Sequence, residues 1–172
     1  MGRASPARQC ERSRPVPKHL LRLGETFSVN APTEKVRLFF DDAPAVAACM
    51  PGLEALTVVD RTTFDTTIVR RAKGVTARLQ LRIHIEDESP TRLAGSASGK
   101  EVKTGTSYEA SGSVNIRPLG PGAAEVTFAA ECRLEGILAA RGFAWAIDIS
   151  AREVTKEFAA ELARRVEAGP ST

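Results

Sequence analysis

Between Val75 and Ile85 every odd position is aliphatic: Val75, Ala77, Leu79, Leu81, Ile83 and Ile85. The even positions are Thr76, Arg78, Gln80, Arg82 and His84. Successive side chains of a pleated backbone point to opposite faces, so a period of two held this long requires a strand with one dry face and one wet face. The clean division predicts an antiparallel sheet covered on one side, because strands buried on both faces read as continuous apolar runs. A sheet of this kind needs an element to cover it, and residues 137–168 supply one. There Ala140, Ile147, Ala151, Val154, Phe158, Leu162 and Arg165 fall close to one line, with Ala144 beside it, when the chain is wound at ~100° per residue. Lys156, Glu157, Arg164 and Glu167 mostly take the other faces.

The segments between fit the same plan. Residues 20–29 alternate loosely and predict a first strand. Pro32 and Glu34 suit the first turn of a short helix over residues 33–40, with Val36, Phe39 and Phe40 on its apolar face. Asp42 and Pro44 open a second short helix over residues 43–49, which Pro51-Gly52 stops. Further strands are expected at 55–60, 63–70, 75–85, 92–99, 106–117 and 124–134, punctuated by Ser89-Pro90 and by the Pro and Gly residues between Pro118 and Gly122. The expected fold is α+β: a curved antiparallel sheet wrapped around a long C-terminal helix, with two short helices after the first strand.

Composition bounds the function. Hydrophobic residues make up 42% and charged residues 26%, the balance of an ordinary globular domain. No apolar run reaches the ~20 residues of a membrane helix, no apolar stretch follows the basic start as in a secretory leader, and Pro6 stands where a myristoylation motif has a hydroxyl. The expected location is cytoplasmic. The net charge of +3 belongs to the start of the chain: six of the 24 basic residues, against Glu11 alone, lie in residues 1–22, and the other 150 residues carry 18 basic and 20 acidic groups. Residues 1–19 read as a disordered basic arm, residues 20–168 as one domain and 169–172 as a tail. The arm is either solvated or in weak contact with an anionic surface; a nucleic-acid role is not expected. Cys10, Cys49 and Cys132 are too scattered for a metal site or a disulfide framework, and with only His19 and His84 beside them no metal or cofactor is expected.

The middle strands carry unexpectedly small residues at inward positions: Gly95, Ala97 and Gly99, then Ala110 and Gly112, then Ala130 and Cys132. A closely approaching helix would explain them, as would strong sheet curvature or an apolar cavity. Empty core space forfeits dispersion contacts, so a cavity is retained where a ligand uses it. The residues expected to line it are Leu79, Leu81, Ala97, Tyr108, Ala110, Gly112, Phe128 and Cys132 on the sheet, with Ala144 and Ile147 on the helix. Tyr108 is either a phenol that orients a ligand or a core tyrosine with its hydroxyl at the rim.

The same segments carry a family resemblance. Gly24-Glu-Thr-Phe-Ser-Val-Asn-Ala-Pro-Thr-Glu-Lys-Val followed by Leu38-Phe-Phe, then Val46-Ala-Ala-Cys-Met-Pro-Gly-Leu-Glu-Ala-Leu, the Leu93-Ala-Gly-Ser-Ala-Ser-Gly run and Gly136-Ile-Leu-Ala-Ala-Arg-Gly resemble the CoxG family of carbon monoxide dehydrogenase subunits. That family lies within the START-like, or SRPBCC, helix-grip superfamily. The stretch around Ala47, Cys49, Pro51 and Gly52 is its most specific part. The resemblance implies a deep apolar pocket between helix and sheet, binding of a lipid or quinone, and association with a molybdenum hydroxylase at the inner membrane face. It implies an accessory protein rather than an enzyme. A cyclase or hydrolase of the polyketide cyclase type on the same fold, with two or more polar groups converging in the pocket, is the competing class; an adaptor with a filled core is the third.

No catalytic apparatus is legible. His84 falls on the wet face of its strand, Glu86, Asp87 and Glu88 read as a solvated strand end, and no phosphate-binding glycine loop is present. Trp145, with Leu138 and Ile149, falls off the inward line. These residues form a partner or membrane contact, unless the helix starts later or the short helices cover them.

Overall fold

A computed structural model describes residues 14–169; the greater part of the expected arm, with Cys10, lies outside the described residues. The elements are β1 (Lys18–Val29), α1 (Thr33–Asp41), α2 (Ala43–Ala47), β2 (Leu53–Val58), β3 (Thr63–Ala72), β4 (Val75–Ser89), β5 (Arg92–Glu101), β6 (Ser107–Gly120) and β7 (Ala123–Glu135). A single 3-10 turn, Ile137–Ala139, leads into α3 (Arg141–Ala168). The seven strands form one sheet in the order β1-β7-β6-β5-β4-β3-β2, antiparallel throughout. This is the helix-grip arrangement that the alternation and the terminal helix predict.

Register puts the dry positions on one concave face. Ile83 pairs with Ala97, Ala97 with Ala110 and Ala110 with Cys132, so a row of inward side chains crosses four strands. The main core lies toward one end of this face, where Val29, Val36, Phe40, Cys49, Leu93, Ile116, Val126, Leu162 and Val166 pack together under α1 and α2. Asp42 fixes the start of α2 by accepting from the Ala45 N–H at 3.1 Å. A smaller cluster of Leu21, Leu134 and Ala139 holds the start of α3, against Ile147 and Ala151.

Several boundaries differ from expectation by a few residues, and two of the differences move residues into new surroundings. β1 begins at Lys18, which takes His19 into the sheet, where its Nε2 lies 2.8 Å from Asp148 Oδ1 on α3. The terminal helix begins at Arg141 because a 3-10 turn precedes it. Leu138 therefore sits buried in that turn, not on an outer helix face.

Candidate functional site

α3 packs chiefly along β1 and touches β3 only lightly, while α1 reaches β6 and β7, which leaves the concave face of β4 and β5 without a helix packed closely upon it. The gap is a cavity of about 480 Å³, open to solvent and lined almost wholly by apolar side chains. Its volume falls within the range of small-molecule sites. The β4 side chains Leu79, Leu81, Ile83 and Ile85 form one wall. They are only half-buried, since no helix covers them. Phe128 and Phe158, with ring centroids 6.5 Å apart, meet where the cavity reaches the main core. Exposed Val75 and Phe143 stand at the opposite end, beside the β3–β4 hairpin and the start of α3.

The helix presents two adjacent arcs. Thr155, Ala159, Leu162 and Val166 are buried. Phe143, Ile147, Val154 and Phe158 face the cavity and are not fully buried. At ~100° per residue the arcs are separated by roughly one residue's rotation, which is why a single line through the helix runs between them.

Of the ten residues expected to line the pocket, Leu79, Leu81, Ala97, Tyr108, Ala110, Gly112, Phe128, Cys132 and Ile147 all do so. Ala144 is the correction: it is half-buried and outside the cavity lining, because its helical angle belongs with the arc that turns toward β1. Ala140 precedes the helix as its cap, and Arg165 pairs with Glu161 at 2.6 Å, so neither end of the expected line reaches the site.

The small residues have more than one cause. A Cβ on Gly99 would stand 1.8 Å from the Gln80 carbonyl oxygen, and one on Gly112 would stand 2.8 Å from that of Ala129. Those two glycines serve close strand approach in a strongly curved sheet. Ala97 and Ala110 instead face open space in the cavity.

Burial pushes the Cys132 thiol up to about 11 and raises the Tyr108 hydroxyl well above its ordinary value. Both groups therefore stay protonated at neutral pH. Cys49 is likewise buried, raised to about 11 and bonded through Sγ to the Ala45 carbonyl at 3.5 Å. His84 lies on the outer face with Nδ1 3.1 Å from the Thr63 hydroxyl, away from the cavity. Among the described residues no group of three His, Cys, Asp or Glu side chains is placed to hold a metal, and no helix is long and apolar enough to cross a membrane. Trp145, at 52% exposure, and Ile149, at 44%, form an uncovered pair on the outer face of α3.

Two polar residues of the inward face are not apparent from the sequence pattern. Arg70 lies on the inward face of β3, following Phe64, Thr66 and Ile68, and borders the cavity. Glu101, 2% exposed, ends β5 on its inward face. Its carboxylate accepts from the N–H groups of Arg78, Lys103 and Thr104 and from the Thr104 hydroxyl at 2.7–3.2 Å. Burial alone would raise the Glu101 carboxyl, but these donors outweigh it and hold the group below the usual glutamate range. Thr106 continues the turn: its hydroxyl accepts from the Leu138 N–H at 3.2 Å, tying the β5–β6 turn to the start of α3.

No curated protein matches the sequence. Solved structures do. A conserved protein from Geobacillus kaustophilus superposes with a TM-score of 0.75 at 15% identity, over 86% of this chain and 96% of that one. A START superfamily protein from Mycobacterium smegmatis gives 0.61 at 16%, over 86% and 97%. The Zhui aromatase/cyclase from Streptomyces sp. R1128 gives 0.55 at 15%, over 87% and 93%. At these identities the likeness establishes a START-like fold. The sequence itself goes further: the family model of CoxG, a carbon monoxide dehydrogenase subunit, matches residues 25–167, and the chain belongs to that family.

Proposed function

We propose that this chain is a non-catalytic carrier that holds an elongated apolar molecule, a lipid or a quinone, for a redox partner of the molybdenum hydroxylase class. The observation that carries the reading is the cavity of about 480 Å³ walled by aliphatic and aromatic side chains. Each buried CH₂ of a ligand would contribute about 0.8 kcal/mol without any charged contact. The lining holds no carboxylate or imidazole to move a proton, and its thiol and phenol are held protonated, which supports a carrier over a cyclase or hydrolase. The family's name supplies the proposed partner, carbon monoxide dehydrogenase, and a working site at the inner membrane face is part of the same proposal.

Native mass spectrometry of the purified chain, before and after solvent extraction, tests the reading. The expected result is a co-purifying apolar molecule that Ala110→Phe excludes while leaving far-UV circular dichroism unchanged. A parent protein that carries nothing, and that takes up no quinone analogue when titrated, would return the chain to the adaptor class. Trp145 stands outside the cavity, so uptake is read with an added probe rather than by intrinsic fluorescence.

A further inference from the structure

Arg70 is the one charged side chain among the residues that line the cavity. It pairs with Ala77 across the strand, and its neighbours on the inward face are Ile68 and Ala72, so no acceptor side chain lies beside it. Its Nε is buried with no hydrogen-bond partner, and among the described residues no carboxylate pairs with its guanidinium. A guanidinium stays charged at any physiological pH. An N–H shut away from water without an acceptor is costly, and native structures rarely leave one without a purpose.

The side chain is also seated deliberately. Its stem runs over Gly52, where an added Cβ would come within 3.6 Å of Arg70 Cδ and 2.1 Å of the Val69 carbonyl oxygen. Gly52 has φ of 82°, which glycine adopts without strain, and its carbonyl accepts from the Val69 N–H at 2.8 Å. The Pro51-Gly52 turn thus gives the Arg70 stem a bare backbone floor at the border of the cavity.

We infer that Arg70 is the polar anchor of the cavity, donating to an acceptor oxygen at one end of an otherwise apolar ligand. The inference rests on the carrier reading and narrows it: the cargo is an amphiphile whose carbonyl or carboxylate oxygen meets β3 while its hydrocarbon lies along β4 to β6. A wholly hydrocarbon ligand would strip water from the guanidinium and offer no acceptor in return, whereas an oxygen-bearing end answers its terminal N–H groups with a charge-assisted bond.

Three fluorescent probes separate the possibilities with the full chain: dansyl-undecanoic acid, its methyl ester, and phenylnaphthylamine, which has no acceptor oxygen. Arg70→Met keeps most of the stem. It should weaken the acid by about tenfold or more, Arg70→Lys should restore part of that loss, and phenylnaphthylamine should bind parent and variant alike. A loss confined to the acid assigns an anionic end to the ligand; a loss shared by the ester assigns a neutral carbonyl. Unchanged binding of both dansyl probes to Arg70→Met, with phenylnaphthylamine still entering, overturns the anchor alone. Failure of phenylnaphthylamine to enter the parent overturns the carrier reading and the anchor with it.

Discussion

The two halves of α3 face the same sheet and do opposite things. In the C-terminal half Leu162, at 0% exposure, and Val166 are sealed against Val29, Val36 and Val126. In the N-terminal half Ile147 touches the small cluster of Leu21, Leu134 and Ala139 on one side, yet it and the equally apolar Val154 also look into space that only solvent or a ligand can occupy. The difference lies in what stands opposite. α1 and α2 fill the concavity at one end with Val36 and Phe40, and nothing equivalent fills the other. Apolar character alone therefore does not distinguish a core from a binding site in this chain; the presence of a second layer does.

That contrast can be broken most directly by truncating one residue on each side. Leu162→Ala removes a sealed side chain and should cost about 2–5 kcal/mol in denaturant unfolding. Val154→Ala trims a wall already missing contacts, so its loss should be much smaller. Equal costs would mean that the cavity end is as tightly packed as the core.

The next test concerns how the open end keeps its shape. Glu101→Gln replaces an acceptor of four donors by a group that repels some of them, and should cost about 1–3 kcal/mol. The folded carboxyl lies below the ordinary glutamate value of 4.5. Its contribution is therefore complete above that pH and is lost as pH falls through the folded value. The variant should flatten that acid limb of the stability curve, and an unchanged limb would remove Glu101 from the account.

A third comparison sets Gly99→Ala against Ala97→Val. The first adds one carbon and the second two to the same strand, but the first meets backbone and should destabilise by about 1–3 kcal/mol, while the second points into the cavity and should be near neutral. The smallest effect belongs to Trp145→Ala on the outer face, where the melting midpoint should shift by less than about 0.5 kcal/mol in equivalent stability.

Much of this is legible in sequence. The β4 alternation identifies one wall residue by residue, and the helical period turns Ile147, Val154, Phe158 and Leu162 inward. The misses share a cause. Arg70 and Glu101 each lie one step of the same alternation beyond an apolar run: Phe64, Thr66 and Ile68 lead to Arg70, and Leu93, Gly95, Ala97 and Gly99 lead to Glu101. Reading polarity as the end of a dry face hides the two charged groups that the dry face carries. Ala144 falls outside the site because the helix has two inward arcs where a single line allows one. The division of the small residues is not legible at all, since alternation gives a side chain's face but not its distance from the neighbouring strand.

Gly99 and Gly112 hold the curvature through backbone contacts, whereas Ala97, Ala110 and Leu81 end in open space. Container and lining are thus written largely in different residues of the same strands, with Gly112 serving both. Substitutions in the lining re-cut the volume and shape of the interior a few methyl groups at a time, while the vessel itself stays as it is. A change of cavity shape on such a sheet therefore need not disturb the contacts that hold the sheet together.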